Sequence, residues 1–151
     1  MKNFRPLDSR ETKKILTQIE EHFGIKEKFT DYAMLMDPKD KVYLVSKSFI
    51  KISSERLKIN NIGVYFGRYE SNQLRLSIEG TQWIKPKKNV LILDEKQISD
   101  WMKGFDIDID NAHQGILAIK HNKDFYGCGK AGNGRLFNFV SKNRRLSVVN
   151  E

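Results

Sequence analysis

The chain has 151 residues, and 27 Lys and Arg against 19 Asp and Glu leave a formal charge of +8, a surplus that raises affinity for polyanions without specifying a fold. Nine Phe, five Tyr and two Trp offset a mean hydropathy of −0.56, so one ordinary domain or two very small ones are expected rather than a disordered chain. No apolar run reaches the roughly 18 residues of a membrane span and the N-terminus lacks the apolar core of a secretory signal, so the expected location is the cytoplasm, with no membrane partner.

Helix signals are few. Asp8 and Glu11 form a capping-box variant ahead of Ile15, Leu16, Ile19 and Phe23 on one face, and Gly24 is a natural stop. A second helix is expected from Ser46 through Phe49 and Ile50. A third has Asp94 as N-cap, Gln97 at the reciprocal position, Ile98, Trp101 and Met102 as its apolar stripe, and Gly104 at its end.

Most of the remainder reads as short strands rich in β-branched and aromatic residues. They are expected at 32–36, 42–45, 62–69, 74–77, 90–93, 115–120, 125–130, 135–140 and 146–149. Hairpin turns are expected at Asp37-Pro38-Lys39-Asp40, Glu70-Ser71-Asn72-Gln73, His121-Asn122-Lys123-Asp124 and Asn133-Gly134. Loops this short make the sheets largely antiparallel. The class is α+β, with a β-rich C-terminal half. Pro86 within Lys85-Pro86-Lys87-Lys88 suggests a boundary, giving units 1–85 and 86–151 that pack against each other.

Enzyme chemistry finds little support. Gly127-Cys128-Gly129-Lys130-Ala131-Gly132 lacks the spacing of a dinucleotide loop and continues into strand rather than helix. His22, His113 and His121 are far apart and none has an i, i+4 metal partner. Cys128 excludes an internal disulfide by being the single cysteine, and a free cysteine is most often a small buried hydrophobe. The acids of Asp106-Ile107-Asp108-Ile109-Asp110 fit an edge strand or loop with one wet face.

Charge is segregated in the second half. Residues 94–110 hold six acids, whereas 120–145 hold seven cations (Lys120, Lys123, Lys130, Arg135, Lys142, Arg144, Arg145) and one acid, Asp124. Phe125, Tyr126, Phe137 and Phe139 are interleaved with these cations. Cations neutralise phosphates and exposed aromatics stack on unpaired bases. The competing reading is structural. Phe137 and Phe139 share one face of a strand, most often the buried one, and Gly127 and Gly129 allow a close approach at a barrel corner.

The stretch Leu74–Gln82, then Lys88-Asn89-Val90, Leu93-Asp94-Glu95 and Trp101-Met102-Lys103-Gly104, followed by Asp124–Lys130, Asn133–Leu136, Asn138–Lys142 and Arg144-Arg145-Leu146, resembles a PUA-type RNA-binding domain preceded by a small partner domain. It is similar to the PUA-like module of Nol/Nop/Sun-type RNA cytosine-5 methyltransferases and to pre-PUA plus PUA ribosome-biogenesis factors. The chain departs from that pattern at Ser141, where proline is usual, and it lacks both a methyltransferase cofactor loop and a Pro-Cys motif. The resemblance implies a pre-PUA-like α/β unit on a PUA-like β pseudo-barrel with one main helix. It implies RNA binding in a groove beside that helix and the neighbouring strands, without methyl transfer; no catalytic residue, cofactor or metal is expected.

The expected phosphate contacts are Lys120, Lys123, Lys130, Arg135, Lys142, Arg144 and Arg145, with Tyr126 and Asn138 facing bases or sugars. The expected partner is rRNA or tRNA in ribosome biogenesis or RNA modification, with an RNA-modifying enzyme or pre-ribosomal particle as further partners. The alternative is a protein adaptor that recruits or stimulates a separate RNA-modifying enzyme.

Overall fold

The computed structural model describes residues 3–48 and 63–146. Contacts divide the chain into two compact units, Met1–Leu74 and Arg75–Glu151.

In the first unit Asp8 accepts the Glu11 N–H at 2.8 Å while the Glu11 carboxylate accepts the Asp8 N–H at 3.3 Å. This reciprocal cap starts α1 (Ser9–Phe23), and Gly24 ends it with φ 76°, a conformation that favours a residue without a β-carbon. Ile15, Ile19 and Phe23 recur at helical spacing and are buried. The sheet follows chain order: β1 (Arg5–Pro6), β2 (Tyr32–Met36), β3 (Lys41–Ser46), β4 (Val64–Glu70) and β5 (Gln73–Leu76). Met34 lies opposite Leu44 and Met36 opposite Val42, so alternation puts all four on one buried face.

The Asp37 carboxylate builds the first turn by accepting the N–H groups of Lys39 and Lys41 at 2.8 and 3.0 Å. Ser71 and Asn72, with φ 53° and 61°, close the β4–β5 hairpin. β1 carries no periodic signal in two residues. Its Arg5 reaches Glu11 through two hydrogen bonds of 2.8 and 2.9 Å, which hold the Glu11 carboxyl below its ordinary range. The helix expected from Ser46 through Phe49 and Ile50 runs outside the described residues.

The second unit opens with a helix that the sequence reading did not anticipate. Ser77 accepts the Gly80 N–H at 2.9 Å and starts α2 (Ile78–Ile84). Gly80 and the β-branched Ile78, Thr81 and Ile84 hide this short helix from propensity. Next come β6 (Val90–Ile92), α3 (Glu95–Met102), β7 (Ile107–Asp108), β8 (Gly115–His121), β9 (Asp124–Gly132), β10 (Arg135–Asn138) and a 3₁₀ turn at Lys142–Arg144. The sheet order is β6-β8-β9-β10-β7. β6 runs parallel to β8, which the long crossover through α3 allows. The other pairings of this sheet are antiparallel.

The division after Leu74 precedes the junction expected at Pro86 because α2 belongs to the second sheet. β10 pairs with β9 only over Gly129–Gly132, leaving the edge of the strand's first half for α2. There the Thr81 hydroxyl accepts the Gly127 N–H at 2.9 Å, and Gln82 donates to the Phe125 carbonyl at 3.3 Å.

The core beneath this sheet gathers Ile78, Leu93, Ile98, Trp101, Ile107, Leu117, Ile119, Ala131, Leu136 and Val140. No helix among the described residues is long and apolar enough to cross a membrane.

A β-carbon on Gly129 would stand 2.7 Å from both the Trp101 indole and Leu136, whereas one on Gly132 would meet nothing within 4 Å. Gly129→Val is therefore expected to lower unfolding free energy by about 1–3 kcal/mol or more, and Gly132→Ala to change it by less than about 0.5 kcal/mol. Urea titration followed by circular dichroism measures both.

Candidate nucleic-acid interface

Trp101 on α3 decides which face of the sheet is available to a ligand. Its ring is 0% exposed, its indole N–H donates to the Tyr126 carbonyl at 2.9 Å, and it fills the space left by Gly129. Strand alternation carries that choice along β9 and β10. Gly129, Ala131, Leu136 and Val140 are buried on the inner side. Lys130, Arg135, Phe137 and Phe139 are exposed on the outer side. Lys130 stands directly opposite Phe137 in the β9–β10 register.

Phe137 and Phe139 do share a face, but it is the solvent face, where they are 43% and 37% exposed. The guanidinium of Arg75 stacks 3.8 Å from the centre of the Phe139 ring. Sequence reasoning missed Arg75 because it lies far from the basic stretch; its place at the end of β5 beside the Phe139 ring is a consequence of topology.

The expected contact residues do not form one patch. Lys123 lies in the β8–β9 turn and Arg135 follows the β9–β10 turn, at opposite ends of a nine-residue strand that spans roughly 27–30 Å. Lys120 sits at Lys123's end, with its ammonium 5.3 Å from the centre of the Phe125 ring. His121 Nδ1 shares a hydrogen bond of 2.9 Å with the Leu93 carbonyl there. Lys130 and Arg135 share the outer face near Phe137, and Asp108 is the cross-strand neighbour of Arg135. Lys142 is exposed in the 3₁₀ turn.

Four residues offered to RNA by the sequence have internal tasks. The Asn138 amide donates to the carbonyls of Trp101 and Phe105 at 2.8 and 2.9 Å, and its oxygen accepts the Val140 N–H at 2.7 Å. These bonds cap the end of α3. Tyr126 is partly buried against the core, and its carbonyl holds Trp101. Arg145 donates from Nε to the Val140 carbonyl at 3.0 Å and lies over Gly104. Arg144 pairs with Glu79 at 3.0 Å.

Cys128 is buried, and burial pushes its thiol up to about 12, against the smaller opposing effects of a Leu76 backbone hydrogen bond and the Arg75 charge. A protonated, enclosed thiol is a poor nucleophile. Among the described residues no three His, Cys, Asp or Glu side chains group to hold a metal ion.

Two consequences are measurable. Asn138→Ala removes the hydrogen bonds to the Trp101 and Phe105 carbonyls and to the Val140 N–H and should cost about 1–3 kcal/mol of stability, seen as a lower urea midpoint. Cys128 should resist iodoacetamide at pH 8 in native protein and react after unfolding, read by mass spectrometry; rapid native labelling would contradict its enclosure.

Comparison with known proteins now places both units. Residues 4–78 match the NIP7/UPF0113 pre-PUA domain family and residues 88–146 match the methyltransferase RsmF PUA domain family. Curated proteins yield no match. The chain is similar in fold to a conserved PUA domain protein from Thermoplasma acidophilum, with a TM-score of 0.59 and 14% sequence identity over 94% of this chain and 97% of that one. The chain is thus a pre-PUA plus PUA protein.

Proposed function

We propose that this protein binds RNA in rRNA processing through the outer face of β9 and β10, without catalysing a reaction on it. The single observation that carries this reading is the exposure of Phe137 and Phe139 beside Lys130, on the face that Trp101 leaves free. The PUA and NIP7-type pre-PUA matches support an RNA-binding role in rRNA processing. The enclosed thiol of Cys128 argues against that residue as a nucleophile.

Lys130, Arg135 and Lys142 are the proposed phosphate contacts of this face. The face lies on the side of the sheet away from Trp101, rather than in a groove beside α3. Lys120 and Lys123 lie at the far end of β9 and would meet only a longer RNA. Asp108 opposes anion binding next to Arg135.

Electrostatic capture makes affinity depend on salt. With about three to five phosphates engaged, log K should fall with log salt at a slope of about −2 to −4. Replacing Lys130 and Arg135 together by Ala should flatten that slope by about 1.4–1.8 units, whereas Asp108→Asn should tighten binding. Fluorescence anisotropy on labelled rRNA fragments across a salt series measures all three, and a salt-independent affinity would contradict the mechanism.

A further inference from the structure

Resting on the RNA-binding reading, we propose that the β9–β10 face selects an unpaired RNA strand, with neighbouring bases stacking on Phe137 and on the Phe139–Arg75 pair. Phe137 lies in β10 and Phe139 one residue past its end, where exposure still alternates with the burial of Leu136 and Val140, and residues two apart in extended chain stand about 6.6–6.8 Å from each other. Successive bases within a helical stack are separated by about 3.4 Å. One base per station therefore requires a strand pulled out of its stack, which a duplex cannot supply without opening. The bases of an A-form helix are also enclosed, so aromatic stacking reaches loops, bulges and ends.

The side chains fit this task in detail. Phe137 presents an open apolar ring at the middle of the face. Lys130 stands opposite it across the β9–β10 pair, where Cβ atoms are about 4.5–5.5 Å apart, so an ammonium is held within reach of the backbone of a nucleotide stacked there. At the second station the Arg75 guanidinium already lies 3.8 Å from the Phe139 ring centre. A planar cation on an aromatic ring offers a base a second flat surface and adds charge. Every base has a π-face, so recognition of this kind discriminates strand state more than sequence.

The fold supplies rigidity to this surface. Leu136 and Val140 are buried in the core beneath, Asn138 is bound to the end of α3, and Phe137 and Phe139 alternate with them. The two rings are presented by a tethered segment that runs from β10 past its end, so little conformational entropy is lost when bases settle on them.

The test uses fluorescence anisotropy of the full chain with a labelled, unstructured RNA of about 12 nucleotides and the same sequence as a blunt duplex. The single strand should bind at least about tenfold more tightly. Phe137→Leu and Phe139→Leu should each weaken single-strand binding by about tenfold and duplex binding by several-fold less, with circular dichroism confirming an unaltered fold. Phe137→Trp should preserve affinity because it keeps a π-face. Lys130→Ala should weaken both RNAs.

Equal affinity for the duplex overturns the proposal. So does unchanged single-strand affinity in Phe137→Leu while Lys130→Ala still weakens it, a result that leaves RNA binding standing and identifies the exposed rings as a surface for something else. Failure of both RNAs to bind removes the underlying RNA-binding reading and the proposal with it.

Discussion

The packing of Trp101 into the space over Gly129 determines the inner and outer sides of the C-terminal sheet. The indole approaches the strand so closely that a β-carbon at Gly129 would stand 2.7 Å from it, and glycine leaves that space open. Once the ring is seated, the period of two fixes the neighbours. Ala131, Leu136 and Val140 face the core, while Lys130, Arg135, Phe137 and Phe139 face water. Trp101 is also held at its indole N–H by the Tyr126 carbonyl and at its own carbonyl by Asn138. A single residue thereby joins α3, β9 and the segment around β10.

The positive charge of the second half does two jobs. Arg144 and Arg145 fasten the segment after β10, one through Glu79 and the other over Gly104 to the Val140 carbonyl. Lys130, Arg135 and Lys142 are exposed. Guanidinium groups suit the first job because their planar fork meets fixed carbonyl and carboxylate oxygens. The net charge of the stretch thus includes cations that already hold internal partners.

Much of the fold was legible in the sequence because its signals are local. The capping boxes at Asp8 and Asp94, the stop at Gly24 and the turn at Asn133-Gly134 all rest on chemistry within a few residues. The α2 helix was not, since its apolar and β-branched residues serve packing against β9 rather than helix propensity. The face of Phe137 and Phe139 was half legible. Alternation puts them together, but which way they point depends on Trp101, distant in sequence. The roles of Asn138 and Arg145 were hidden for the same reason: their partners are backbone carbonyls, including those of Trp101 and Phe105, that no residue pattern advertises.

If the side of the sheet opposite Trp101 meets RNA, ultraviolet crosslinking of the full chain to a uridine-rich unpaired RNA, followed by mass spectrometry of the crosslinked peptides, should place crosslinks at Phe137 and Phe139, with Lys130 on the neighbouring strand. Crosslinks confined to α3 or to the first unit, with residues 130–139 unmodified, would contradict it.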